Sequence, residues 1–223
     1  TSWTAHAVQP FAITASEGKV YSASNDGGVR VWTLNGDKIA EYSASEADIG
    51  SLSVSGKYVY TGDELGNIYV YEQNELIAKY NVLEEVKDIA ISPPFMFTAR
   101  DLYVTVTEVK PDQSKDRFIT QHVMEGRAPL RMCGSYLVVT SRSGNSIQLH
   151  NPCGHQPACP ACDGFAWTGG WDGCVRRWKI SEDKLESAGE INLGACINAL
   201  VASSGDNAYA LLTGGRIVNV KAS

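Results

Sequence analysis

A hairpin signal that recurs along the chain constrains the fold more than any other feature. Its first copy runs from Val20 to Trp32, where two stretches of alternating β-forming residues flank the turn Asn25-Asp26-Gly27-Gly28. A central Asn-Asp-Gly-Gly is a strong hairpin signal, because Gly accepts the positive φ that a tight turn requires. A two-stranded hairpin is only marginally stable in water by itself. The chain therefore has to supply further strands that stack beside it.

Degraded copies of this hairpin follow at intervals of a few tens of residues. In the second copy, Thr61 takes the place of Ser22 and Tyr71 takes the place of Trp32, in both cases 39 residues further along. A short apolar strand precedes most of the hairpins and another strand follows several of them, so each unit holds about four short antiparallel strands. The six hairpins lie at residues 20–32, 60–71, 97–104, 139–150, 167–178 and 209–220.

These units, of about 37 residues each, predict an all-β protein: a β-propeller of four-stranded antiparallel blades, with six or seven blades. A blade buries its two faces only against neighbouring blades, so the ring has to close. We therefore expect residues 1–223 to form a single propeller. The N-terminal segment Ser2-Trp3-Thr4-Ala5 would supply the missing outer strand of the final blade and so lock the ring.

Two hairpins carry a family resemblance. The first contains Asn25-Asp26-Gly27-Gly28-Val29-Arg30-Val31-Trp32, and the fifth contains Trp171-Asp172-Gly173-Cys174-Val175-Arg176-Arg177-Trp178. Through these residues the chain resembles the WD-repeat β-propeller family. The resemblance implies that a blade is pinned by a His before its first strand, a strand Ser or Thr, a turn Asp and a Trp, hydrogen-bonded in series. The residues that fit these roles are His6, Ser22, Asp26 and Trp32 in the first unit, and Thr168, Asp172 and Trp178 in the fifth.

Other units depart from this pattern. In the second unit, Leu65 stands where the turn Asp belongs and Tyr71 where the Trp belongs, and the third and sixth units depart further. The segments Gly18-Lys19-Val20-Tyr21 and Leu34-Asn35-Gly36-Asp37-Lys38 also resemble the repeats of quinoprotein-type propellers. That second family stays open as an alternative.

Composition and charge narrow the classes of function. The net charge of −6 is spread along the 223 residues, which disfavours nucleic-acid binding, because that affinity would rest on a basic stripe. The chain contains no run of about eighteen apolar residues, so no membrane span is predicted. Six cysteines are too few for a disulfide scaffold of this size, and we expect a reducing intracellular setting, cytoplasmic or nuclear. The chain begins at Thr1 without a signal-peptide pattern, and we expect it to be an excised domain.

One short segment concentrates potential metal ligands. Cys153, His155, Cys159 and Cys162 have the spacing C-x-H-x3-C-x2-C, and thiolate with imidazole is the usual ligand set of tetrahedral zinc. The segment is similar to the middle of a RING-type finger, although the flanking Cys pairs of that family are absent. Alternatively, His155 belongs to a blade while the cysteines are small apolar fillers, or the segment joins across missing residues. No cofactor is favoured, and zinc stays open as a hypothesis.

Catalytic motifs are missing from the sequence. It contains no nucleophile elbow, phosphate loop or HExxH motif, so we predict a non-catalytic protein. Two alternatives from other classes stay open. One is a quinoprotein-like or hydrolytic propeller enzyme with ligands around a central channel, and the other is a nucleic-acid-binding propeller.

The turns between second and third strands indicate where a partner would bind. In WD-repeat propellers this turn opens on the narrower ring face, where partners often dock, and the residue before the turn Asp points into that surface. Trp171 occupies this position, and Trp and Arg are enriched at binding hot spots, although Trp171 could instead pack on a neighbouring blade. We therefore predict a protein-interaction module within a larger assembly, which binds an acidic or mixed peptide. The candidate contact residues are Asn25, Glu64, Arg100, Arg142, Ser143 and Trp171.

Overall fold

The computed structural model describes residues 3–43, 45–134, 136–151, 164–181, 184–204 and 206–222. The described residues form antiparallel strands and no α-helix, and therefore no helix that could span a membrane. The chain divides into two compact units. One consists of Thr1–Met132 with Val138–Gln148, and the other consists of Cys133–Leu137 with Leu149–Ser223.

Three four-stranded sheets form most of the first unit, and each is a simple meander in sequence order. The first contains β1 (Pro10–Ser16), β2 (Lys19–Ser24), β3 (Gly28–Thr33) and β4 (Lys38–Ser43). The second contains β5 (Ile49–Ser55), β6 (Tyr58–Asp63), β7 (Asn67–Glu72) and β8 (Glu75–Asn81). The third contains β9 (Asp88–Ser92), β10 (Phe95–Ala99), β11 (Tyr103–Val109) and β12 (Phe118–Glu125).

Three further sheets follow, and each has three strands among the described residues. The fourth sheet contains β13 (Arg127–Cys133), β14 (Tyr136–Thr140) and β15 (Ile147–His150). The fifth contains β16 (Phe165–Gly169), β17 (Cys174–Ser181) and β18 (Lys184–Asn192). The sixth contains β19 (Ile197–Ser204), β20 (Asn207–Leu212) and β21 (Ile217–Lys221). The six sheets correspond to the six units found in the sequence. The segment between β15 and β16, where the sequence places the first strand of the fifth unit, lies outside the described residues at 152–163.

The hairpin signal forms the hairpin that it predicts. Strands β2 and β3 pair with Val20 opposite Trp32, and β6 and β7 pair with Val59 opposite Tyr71, so the 39-residue alignment holds residue by residue. In the first turn, Gly27 adopts a φ of +69°. The turn lies so close to the next connection that a Cβ on Gly27 would stand 2.3 Å from a backbone carbonyl oxygen. Only glycine fits at this position.

Neighbouring sheets of the first compact unit bury their faces against each other. One apolar cluster lies between the first and second sheets, where the rings of Tyr42 and Tyr71 stack with their centroids 4.9 Å apart. A second cluster, which includes Ile68, Val86 and Met96, lies between the second and third sheets. In the second compact unit, Val175 packs with Ile197, Leu212 and other residues of the last sheet. These five sheets thus obtain core residues from a neighbouring sheet, as the repeat pattern requires.

The N-terminal segment lies against the first sheet. The rings of Trp3 and Trp32 have centroids 6.2 Å apart, and a Cβ on Gly36 would lie 2.8 Å from the Trp3 ring. Residues 3–9 form no strand in the described structure. Closure of the ring by this segment, and a single propeller over residues 1–223, stay predictions.

Candidate interaction surface

The structure brings together the four residues assigned to the network of the first blade. His6 Nε2 lies 2.8 Å from Ser22 Oγ, and Trp32 Nε1 donates a hydrogen bond of 2.9 Å to the same oxygen. The Arg30 guanidinium, which can only donate, lies 2.7 Å from His6 Nδ1. His6 Nδ1 is therefore an acceptor, and the ring proton on Nε2 points at Ser22. His6 and Trp32 both donate to one buried hydroxyl. Asp26 Oδ2 lies 3.4 Å from His6 Nδ1 and 3.0 Å from the Arg30 guanidinium, which joins it to the network.

Arg30 is a fifth member that the sequence reasoning missed. Its guanidinium lies 3.0 Å from Asp26 Oδ2 and 3.0 Å from Glu41 Oε1, and it also donates to the carbonyl oxygen of Ala5. The signal for this contact was present in the sequence as an Asp and an Arg four residues apart. Strand β3 runs directly out of the turn, so this spacing brings the guanidinium back over the turn carboxylate.

The turn carboxylate of the first blade is held in its charged form. Burial by itself would raise the pKa of Asp26, but hydrogen bonds from Ser24 and from the Gly28 backbone N–H, the contact with His6 and the charge of Arg30 lower it to about 2. The Ser24 hydroxyl donates to Asp26 Oδ1 at 2.5 Å, and Gly28 N donates to the same oxygen at 3.0 Å. The turn is therefore rigid wherever Asp26 is ionised.

This low pKa predicts a loss of stability in acid. An Asp whose folded pKa lies below its ordinary value of 3.8 contributes stability that is present above pH ~4 and is lost as the pH falls towards 2. We expect Asp26→Asn to remove up to about one proton from the pH slope of the unfolding free energy between pH ~2 and ~4. Denaturant unfolding of both proteins across this range measures the slopes. Parallel curves for the two proteins would contradict the assignment.

The fifth unit repeats this organisation. Trp178 Nε1 donates a hydrogen bond of 2.8 Å to Thr168 Oγ1, and Cys174 N donates to Asp172 Oδ1 at 3.0 Å. The Arg176 guanidinium lies 2.7 Å from Asp172 Oδ2 and 2.7 Å from Glu190 Oε2. The hydrogen bond from Arg176 is the main cause that lowers the pKa of Asp172. Thr168 and Trp178 thus bond each other and Asp172 holds the turn, while the fourth candidate, His155, lies outside the described residues.

The second unit uses a different carboxylate. Leu65 occupies the position of the turn Asp, but Asp63, two residues earlier and fully buried, organises the turn instead. Its Oδ1 accepts hydrogen bonds from the backbone N–H groups of Leu65 at 3.0 Å and Asn67 at 2.7 Å. Its Oδ2 accepts from Ser45 Oγ at 2.9 Å, Asn67 Nδ2 at 2.9 Å and the Tyr69 hydroxyl at 3.3 Å. The sequence comparison missed Asp63 because it looked for the carboxylate at position 65 alone.

The turns of the second and fifth units are tied to the next connection by the same backbone hydrogen bonds. In the second unit, Val82 N donates to Gly66 O at 2.9 Å and Val86 N donates to Asp63 O at 3.0 Å. The equivalent bonds in the fifth unit are Leu193 N to Gly173 O at 2.8 Å and Ile197 N to Gly170 O at 3.1 Å. Glu64 and Trp171 therefore occupy equivalent places at the tips of turns that are fixed on both sides.

Trp171 projects from its turn into solvent. Its side chain is 92% exposed, the largest exposure of any large apolar residue in the described structure. The alternative expectation, that Trp171 packs on a neighbouring blade, does not correspond to this placement. Asn25 and Glu64, at the equivalent positions of the first two units, are also exposed.

Arg100 and Arg142 meet over one aromatic ring. The Cζ atoms of Arg100 and Arg142 lie 5.8 Å and 5.5 Å from the ring centroid of Tyr103, which is 36% exposed. Each guanidinium also pairs with a carboxylate, Arg100 with Glu84 at 3.0 Å and Arg142 with Glu125 at 2.9 Å. Both cations therefore already have anionic partners within the chain.

Ser143 lies next to Arg142 in the β14–β15 turn. Its hydroxyl lies 3.1 Å from Ser141 Oγ and donates to Asn145 Oδ1. The serine thus helps to fix the turn from which Arg142 extends.

The zinc hypothesis concerns residues that the structure does not describe. Cys153, His155, Cys159 and Cys162 all fall within residues 152–163, outside the described ranges. Elsewhere, the described part of the chain contains no group of three or more His, Cys, Asp and Glu side chains that could hold a metal ion. Zinc binding stays a hypothesis.

Comparison with known proteins identifies the fold. No protein-family model and no curated protein matches the chain. Among solved structures, a chain of the mitotic checkpoint complex superposes with a TM-score of 0.77 at 13% identity, covering 98% of this chain and 76% of that one. The C-terminal WD40 domain of Sif2 gives 0.71 at 12% identity, covering 99% and 69%. The Myceliophteria thermophila Cps50 (Swd1) β-propeller domain gives 0.70 at 10% identity, covering 92% and 84%.

These similarities and the six antiparallel sheets of the described residues show that the chain has the all-β fold of WD-repeat β-propellers. At this level of identity the similarity concerns the fold. The role of the chain has to be argued from its own surface.

Proposed function

We propose that this protein is a non-catalytic protein-interaction module, which binds partner proteins through the turns that follow the second strands of its sheets. The observation that carries the proposal is Trp171, an almost fully exposed indole on a turn that is hydrogen-bonded on both sides. A rigid aromatic side chain in water loses little conformational freedom when a partner covers it, and Trp is the residue type most enriched at binding hot spots.

The cluster of Arg100, Tyr103 and Arg142, in the first compact unit, supports the same role. It combines a half-exposed aromatic ring with two guanidinium groups, a composition that is enriched in protein interfaces. The ion pair of Arg142 with Glu125 is solvent-exposed on both sides, so a partner can exchange it for its own charged groups at little cost.

The comparisons are consistent with binding to other proteins. One similar chain belongs to the mitotic checkpoint complex, so a chain of this fold occurs within an assembly. We propose the same type of role for this protein, as a component that holds other proteins together.

Affinity capture from cell extract, followed by identification of the bound proteins, tests the proposal. We expect Trp171→Ala and Arg142→Ala each to reduce the recovery of the captured partners by about tenfold or more, since truncating a hot-spot residue typically costs at least 1–2 kcal/mol. Both side chains are exposed, so the circular dichroism spectrum and the unfolding midpoint should not change.

The matched control is Leu34→Ala. Leu34 is also an exposed apolar residue, but it lies in the β3–β4 turn, at the opposite end of the strands from the β2–β3 turn. Its truncation should leave capture intact. If folded Trp171→Ala and Arg142→Ala proteins recover the same partners in full, the assignment of these turns to partner binding is wrong.

A further inference from the structure

Two exposed leucines lie on adjoining connections of the second sheet. Leu65, in the β6–β7 turn, is 61% exposed, and Leu83, in the β8–β9 connection, is 88% exposed. We call them the leucine pair. An exposed leucine by itself is ordinary, so what matters is how the chain holds these two.

One side chain fixes the backbone of both leucines. Asn81 Nδ2 donates a hydrogen bond of 3.2 Å to the carbonyl oxygen of Leu65, and Asn81 Oδ1 accepts one of 2.7 Å from the backbone N–H of Leu83. The two connections also touch directly, since a Cβ on Gly66 would lie 2.8 Å from the backbone nitrogen of Glu84. The leucine pair is thus presented by a single rigid arrangement of the backbone.

Leu83 occupies a conformation that does not suit it. Its φ is +70°, in the left-handed region that side-chain-bearing residues rarely adopt. The fifth unit has the same local geometry, because Gly194 N donates to Asn192 Oδ1 at 2.7 Å as Leu83 N does to Asn81. There the equivalent residue is Gly194, with a φ of +73°. The second unit therefore presents a leucine to solvent at a place where glycine suffices, and such strain is concentrated at functional positions.

Carboxylates surround the leucine pair. Glu64 and Glu84 precede and follow the two leucines in the sequence, and Glu85 comes next, with all three residues exposed. Arg100 pairs with Glu84 and Lys87 with Glu85, whereas Glu64 makes no ion pair within the described part of the chain. The leucine pair is thus flanked by three carboxylates and two cations, and among the described residues the carboxylate of Glu64 is the one left to accept a further cation.

From these features we propose that the leucine pair binds a basic segment of the partner protein that carries large apolar side chains. This inference rests on the proposed function and names the chemistry of the partner. An apolar side chain of the segment packs on Leu65 and Leu83, and a Lys or Arg of the segment pairs with Glu64. Such a segment removes exposed apolar surface from water and supplies a cation to the unpaired carboxylate of Glu64 in one contact.

Short immobilised peptides, in which net charge and leucine content are varied independently, test the inference when probed with the purified chain. We expect basic, leucine-containing peptides to bind best and their binding to weaken as salt is added. Leu83→Gly should reduce this binding about tenfold or more, as expected for loss of a hot-spot side chain. Glu64→Gln should reduce it to a lesser degree and make the remaining binding less sensitive to salt.

The design separates a binding effect from misfolding. Leu83→Gly places in this connection the residue that the fifth unit carries in the same conformation, so the fold is retained. Leu34→Ala is the control for loss of an exposed leucine elsewhere and should bind the peptides like the unaltered chain.

Three outcomes would overturn the inference. It is wrong if acidic peptides bind as well as basic ones, if no peptide binds, or if Leu83→Gly binds normally. If the capture of partners from extract depended on Trp171 but not on Leu83, the proposed function would stand and only the leucine pair would be refuted. If capture from extract did not depend on Trp171 but basic peptides still bound through Leu83, the proposed function would be refuted and the leucine pair would stand.

Discussion

Replacing Gly27 by Ala is expected to lower the free energy of unfolding by about 3 kcal/mol or more. The residue has a φ of +69°, and its added Cβ would lie 2.3 Å from the carbonyl oxygen of Ser45. That oxygen belongs to the backbone, so no side chain can rotate away and one of the two connections has to move. Chemical denaturation monitored by circular dichroism measures the loss.

Gly18→Ala is the matched control for this prediction. Gly18 has almost the same φ, +73°, but a Cβ there would meet no atom within 4 Å. Only the left-handed conformation is then unfavourable, and we expect a loss of about 1 kcal/mol. Equal losses for the two variants would show that contact between the β2–β3 turn and the following connection does not stabilise the blade.

The sequence was sufficient to predict the fold because each hairpin carries its own local signal. The alternation of residues and the turn glycines of the first hairpin are read within a dozen positions, and the pairing of Val20 with Trp32 follows from them. The equivalent pairing of Val59 with Tyr71 shows that the second copy keeps the register without the Trp. Local hydrogen bonding and repetition therefore determine the sheets, and no long-range information is needed to find them.

The site was predicted less completely, because its contacts depend on which of several nearby polar groups folds over the turn. Asp26 and Asp172 follow the family pattern, and both are paired with an Arg four residues later. In the second unit, the carboxylate moves to position 63 and the Arg position is taken by Tyr69, which donates to it. A search for Asp at the turn position alone cannot find a turn in which a different carboxylate and a different donor make the equivalent contact.

The leucine pair could not be inferred from the sequence at all. Nothing in the residues around Leu83 indicates a left-handed conformation, since leucine has no preference for it. The conformation results from Asn81, which reaches across two connections to bond both Leu65 and Leu83. Exposure likewise depends on the path of the β8–β9 connection over the turn, which only the folded chain shows.

Asp63→Ala is expected to be the most damaging single substitution in the second sheet, with a loss of about 3–5 kcal/mol of unfolding free energy. The buried carboxylate accepts five hydrogen bonds, and its removal leaves two backbone N–H groups of the turn without acceptors. Tyr69, which is buried, also loses the acceptor of its hydroxyl, and a buried donor that loses its partner costs its full desolvation free energy. Truncation therefore costs more here than at the surface.

Asp63→Asn should cause an intermediate loss of unfolding free energy, because the two carboxylate oxygens accept hydrogen bonds from different donors. The amide keeps an acceptor for the backbone N–H groups of Leu65 and Asn67, but its NH2 group cannot accept from the Ser45 hydroxyl. The control is Asp112→Ala, because that carboxylate also accepts a tyrosine hydroxyl yet has a side chain that is 79% exposed. We expect Asp112→Ala to change the unfolding free energy by less than about 0.5 kcal/mol. If Asp63→Ala proved as mild as Asp112→Ala in denaturant titrations, the turn would be held by its backbone bonds alone, and the displaced carboxylate would have no structural role.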